Sequence, residues 1–151
     1  MMKKNSLLML LAILIMGCSS NEAQEKEAVS YVTIAKGSLH GAGEEGIEAQ
    51  NLIIRNNEAW VLLMSKMNTV NKVSDSFLET TVNFDDYILV AVFDSVKNTG
   101  GHSVDIEVEK NIKNVAVNVT QTAPGLIATT VIEQPYVIAK IPVTNLPVVF
   151  K

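Results

Sequence analysis

The sequence is poor in the residues that most often staple a fold or carry chemistry. It holds one cysteine, two histidines, one tryptophan and, in Arg55, one arginine, and aromatic residues make up only 5% of its 151 positions. A lone cysteine excludes an internal disulfide, so packing must hold the fold even in an oxidising compartment. His40 and His102 lie far apart in the chain and leave a metal site without a converging ligand set. One arginine among scattered lysines does not make the basic stripe that displaces counterions from a nucleic-acid backbone, so no nucleic-acid partner is expected. No cofactor fingerprint is present either. Gly37, Gly41 and Gly43 form a loose glycine loop, but neither the Lys-Ser/Thr pair of a phosphate cradle nor a long helix follows.

What the sequence does have begins with its first eighteen residues. Lys3 and Lys4 precede ten consecutive apolar residues, Leu7 to Met16, and Gly17-Cys18 closes the segment. A positive head, a short apolar core and a small residue before the cut is the order of a secretion signal. As a helix those ten residues would reach about 15 Å, half of the roughly 30 Å of a bilayer core, which argues against a membrane span. Ile15-Met16-Gly17-Cys18 resembles the lipobox of bacterial lipoproteins, with Met16 where Ala or Ser is usual. The resemblance implies that residues 1–17 are removed as a signal peptide and that Cys18 is lipidated, with palmitate-type chains on its thiol and amine. Two or three such chains, at about 0.8 kcal/mol per buried methylene, hold a protein at a membrane. Ser19, where Asp would signal retention, resembles lipoproteins sorted to an outer membrane. The expected location is therefore the bacterial cell envelope, the outer membrane in preference to the cytoplasmic one. Losing the leader removes two lysines and no acid, taking the net charge from −4 to −6.

Residues 18–28 are polar and aperiodic, as a flexible tether would be. Residues 29–151 show no repeat, linker or charge block and read as a single β-rich domain. Val29 to Lys36 and Gly46 to Arg55 are strand candidates separated by a glycine loop. Asn56 is a good N-cap, Glu58 suits a first helical turn, and Trp60, Leu63, Met64 and Met67 place one apolar stripe on a helix over roughly residues 57–68. Tyr87 to Phe93 is apolar on both faces, as a central strand is. His102, Val104, Ile106 and Val108 share one face of the next strand while Ser103, Asp105, Glu107 and Glu109 share the other. Asn111 to Gln121 repeats the pattern, with Val115, Val117 and Val119 inward, after a hairpin at Lys110-Asn111. Leu126 to Ile132 and Tyr136 to Ile141 complete the expected strands, separated by Gln134-Pro135. The fold class is α+β, mainly antiparallel β-sheet with one appreciable helix packed on it.

The chemistry-bearing candidates are weak. Gly101-His102-Ser103 partly matches a nucleophile elbow, but the closing glycine is absent and adjacent strand residues face opposite ways, so His102 cannot activate Ser103. His102 reads instead as a satisfied residue at the rim of the core. Asp85-Asp86 and Glu44-Glu45 read as solvated neighbours with nothing to separate their proton affinities. The alternative to a binding module, a small ligand-binding protein or hydrolase, would have to use His40 and His102.

From about residue 84 to 142 the order of elements resembles the C-terminal domain of the PrcB family, named for a subunit of a secreted bacterial protease complex. The resemblance rests on Val90-Ala91-Val92-Phe93, on Asn98-Thr99-Gly100-Gly101-His102-Ser103-Val104-Asp105-Ile106, on Ala123-Pro124-Gly125, and on Gln134-Pro135-Tyr136-Val137-Ile138-Ala139-Lys140-Ile141-Pro142. His102 stands where the family usually has an aromatic residue. Gly100, Gly101, Pro135 and Tyr136 are its structural markers: the glycines permit a tight turn into a strand and Pro135 can start a strand without donating a ladder bond. The resemblance implies a non-catalytic, protein-interacting accessory domain without a cofactor, tied to the membrane by its lipid. Its partner would be another envelope or secreted protein, a protease in the type case, bound through a sheet face or through a loop such as residues 37–45.

Overall fold

A computed structural model describes residues 25–151; the expected leader, the lipidation site Cys18 and most of the tether lie outside the described residues. Among the described residues, eight strands form two four-stranded sheets. One sheet takes β2 (Val32–Leu39), β7 (Gln134–Pro142), β4 (Tyr87–Phe93) and β3 (Gln50–Ile54), in that order and all antiparallel. The other takes β1 (Glu27–Ala28), β5 (Ser103–Lys110), β6 (Val115–Thr122) and β8 (Val148–Phe150), antiparallel except where β8 runs alongside β6. Helix α1 (Asn57–Met67) follows β3.

The layers follow from the side-chain alternation of β4 and β7. Leu89, Ala91, Phe93, Tyr136 and Ile138 face α1 and form one core with Trp60, Leu63 and Met67. Ile88, Val90, Val92, Val137, Ala139 and Ile141 face the second sheet and meet Val104, Ile106, Val108, Val115 and Val117. The first sheet is therefore the middle layer of three, covered on both faces, which is why its two inner strands are apolar throughout. The outer sheet has one wet face, and the alternating acids of β5 lie on it.

Helix α1 starts where its cap residue allows. The Asn56 side chain accepts a hydrogen bond from the Ala59 amide at 2.9 Å, and Glu58 lies in the first turn. Trp60 and Met67 are fully buried and Leu63 nearly so, while Met64 packs at the margin. The Trp60 indole stacks on Phe77 with ring centres 5.9 Å apart and donates its N–H to the Thr80 carbonyl at 2.8 Å. The stripe is core, and the ring's polar atom finds a partner as buried indoles do.

Four segments differ from what the sequence predicts. Leu126 to Ile132 is not a strand: it is a loop, because it packs on the turn at Gly100 rather than beside a sheet, and its apolar residues have no face to cover. Gln134-Pro135 does not separate two strands but opens β7, where Pro135 sits opposite Ser38 and its carbonyl accepts from the Asp94 amide at 2.9 Å. The first long strand begins three residues late and runs through Gly37 and Ser38 to Leu39, with a register shift between Thr33 and Ala35. Glu27 and Ala28, expected in the tether, pair with Lys110 and Glu109 of β5.

Candidate functional site

Three connections gather at one end of the layered structure: residues 40–49 between β2 and β3, residues 94–102 between β4 and β5, and residues 123–133 between β6 and β7. The pairings Leu39 with Gln134, Phe93 with Tyr136 and Ser103 with Thr122 fix this convergence. The N-terminal pairing of β1 lies at the other end, beside the turn from Asn111 to Asn114. The eight residues of β5 separate the two ends by about 26 Å.

Buried polar groups tie the three loops together. Gln134, 1% exposed, donates both protons of its amide nitrogen, to the carbonyls of Ile47 and Asp94, each at 2.9 Å. One side chain thus fixes two loops to β7. Asp94 accepts from the Ser95 amide at 2.6 Å and from the Gln121 side chain at 3.2 Å, and its second oxygen pairs with the Lys97 ammonium at 3.0 Å. Glu133 accepts from the His102 amide at 2.7 Å, and its backbone exchanges two hydrogen bonds with Lys97. Glu45, 4% exposed, accepts from the Gly41 amide at 2.8 Å and lies so close that a Cβ at position 41 would stand 2.4 Å from its carboxylate.

The glycine pair acts as a seat. Gly101 has φ of +93°, open to glycine at little cost, and a Cβ there would meet Pro124 at 3.0 Å. The Gly100 amide donates to the Thr129 carbonyl at 3.0 Å, and a Cβ on Gly100 would stand 2.3 Å from the Thr129 hydroxyl. The loop 123–133 is thus clamped at Pro124, at Thr129 and at Glu133. Between the first two clamps Leu126 and Ile127 stand out, 107% and 91% exposed.

The histidines occupy different settings. His40 is exposed at the end of β2. His102 is half-buried with its Nε2 3.1 Å from the Thr99 hydroxyl, so the ring is engaged within its own turn and not with Ser103. Tyr136, buried in β7, stacks on Phe93 at 5.9 Å, and burial pushes its phenol above the usual range. Pro135 lies beside it in the strand. Among the described residues no group of three or more His, Cys, Asp and Glu side chains is placed to hold a metal.

Sequence reasoning missed Gln134, Glu133, Asp94 and the Leu126-Ile127 tip. A signal for the tip existed: residues 114–132 contain no charged side chain at all. The loops around it are the reverse. Residues 40–49, 94–102 and 133 carry Glu44, Glu45, Glu48, Asp94 and Glu133 against Lys97 alone, a formal −4. At the opposite end residues 25–28 and 109–115 balance Glu25, Glu27 and Glu109 against Lys26, Lys110 and Lys113. There Lys26 bonds Glu109 at 2.7 Å and holds its carboxyl below the ordinary range.

Compared with known families, residues 88–142 match the family model described as PrcB C-terminal, a span that runs from β4 to the end of β7 and includes the 94–102 and 123–133 loops. Neither the curated proteins nor the solved structures contain a match to the chain.

Proposed function

We propose, from the match of residues 88–142 to the PrcB C-terminal family model, that the chain is a non-catalytic accessory lipoprotein that supports an extracytoplasmic protease. The matched span supports this reading: it contains the clamped loop end, built of polar groups that bond one another and so hold shape. The His102 ring meets the Thr99 hydroxyl and its backbone amide donates to Glu133, both bonds that hold the loop. Cys18 would supply the membrane tether, its acyl chains in the bilayer of the cell envelope and the outer membrane its destination.

Deleting the gene in its own cells should lower the amount of one secreted protease detected by an active-site probe. Restoring the full chain should restore it, and the His40→Ala/His102→Ala double variant should restore it equally, provided it accumulates. A Cys18→Ser chain should lose metabolic palmitate label and leave the membrane fraction. Unchanged probe labelling after deletion would overturn the accessory role, and loss of rescue in a well-folded double histidine variant would favour a histidine-dependent activity.

A further inference from the structure

The tip of the 123–133 loop carries an inference that deepens the reading above and rests on it. Leu126 and Ile127 are adjacent, apolar and almost wholly in water, at the crest of a loop held from behind by Gly100, Gly101 and the Lys97–Glu133 backbone pair. An exposed leucine alone is ordinary. Leu126 and Ile127 together, at the crest of a clamped loop whose residues 123–132 carry no charge, form a preorganised apolar projection, which meets a pocket with little further loss of conformational freedom.

We propose that Leu126 and Ile127 form a plug that enters an apolar, basic-rimmed pocket on a protein partner. Charge selects this occupant. The loops at this end of the fold, residues 40–49, 94–102 and 133, carry a net −4, with Glu44 and Glu48 exposed, Glu45, Asp94 and Glu133 buried and Asp94 paired with Lys97; this balance repels an anionic bilayer surface and the same end of a second copy, and complements lysines and arginines around a pocket. Position agrees. A tether leaving at β1 departs from the end about 26 Å away from the plug, and the stretch from position 18 to 25 reaches about 25 Å even fully extended. With the domain standing on that end, the plug is presented away from the bilayer.

The test places a photo-reactive phenylalanine analogue at position 126 of the full lipidated chain in its own cells. The same analogue at position 112 is the control, because Ile112 is also exposed, at 83%, but at the tether end. Position 126 should give one discrete protein adduct and position 112 should not. That protein, purified and titrated against the full chain, should bind the Leu126→Asp/Ile127→Asp variant at least about tenfold more weakly and the Ile112→Asp variant unchanged. Added salt should weaken binding to the unaltered chain. Both tip residues are solvent-exposed, so circular dichroism of the double variant should match that of the parent. Adducts to lipid, to a second copy or to nothing would overturn the plug, as would unchanged affinity of the double variant. A double variant that still sustains the protease would sink the plug and leave the accessory role standing. A plug partner that is not a protease would do the opposite.

Discussion

At the scale of single residues, the buried amide of Gln134 ties two loops to one strand. Its nitrogen is the partner of two backbone carbonyls on two loops, and a leucine of similar size would leave both without a donor in a dry environment. Gln134→Leu should therefore lower stability by about 2 kcal/mol or more, readable as a lower midpoint in urea unfolding. A chain in which the midpoint is unmoved would show that the loops hold without this tie. Tyr136 gives a second residue-level expectation. Its phenol ionises less readily when folded than when unfolded, so the neutral form stabilises the native state and that contribution is complete below the unfolded pKa near 10. As pH rises above it, the unfolded chain gives up the proton first and stability falls. Urea titrations between pH 9 and 11 should show a steeper decline for the parent than for Tyr136→Phe.

At the scale of elements, α1 shows how far local rules reach. The cap, the first-turn acid and the i, i+3, i+7 stripe are all local, and the helix forms within a residue of the boundaries they predict. Asn56→Ala should cost about 1 kcal/mol, measured as a shift in the thermal midpoint, because the Ala59 amide loses its acceptor. The strands β4 and β5 were equally legible, since two-residue alternation or its absence in β4 states how many faces are covered, whereas β6 begins at Val115, four residues after the expected Asn111, because Asn111 to Asn114 form the turn. What the sequence could not show is partnership. The residues from Leu126 to Ile132 have the composition of a strand but cover no sheet: Leu126 and Ile127 project into solvent, and Thr129 bonds the Gly100 turn. Gln134-Pro135 has the composition of a turn but lies inside β7. β1 and β8 are two and three residues long, too short for any pattern to announce them. The candidate site was half legible for the same reason: Gly100 and Gly101 stand out in sequence as a backbone special, whereas the loop they seat is distant in the chain.

At the scale of the whole molecule, long-range pairing governs the order in which the structure can be assembled. Thr33 lies opposite Ala139 and Leu39 opposite Gln134, so β2 finds its neighbour only after roughly a hundred further residues have been supplied, a separation that slows folding. In the middle layer β7 is also the neighbour of β4. Without it the sheet is two disconnected pieces and neither core can close. If the chain is threaded head-first across a membrane, β2 emerges early and waits with bare edges while β3 to β6 follow. Such a strand is a template for mispairing. The central position of a late strand thus makes the interval before Pro142 is supplied the hazardous one, and a factor that shields bare strand edges would have its greatest effect there.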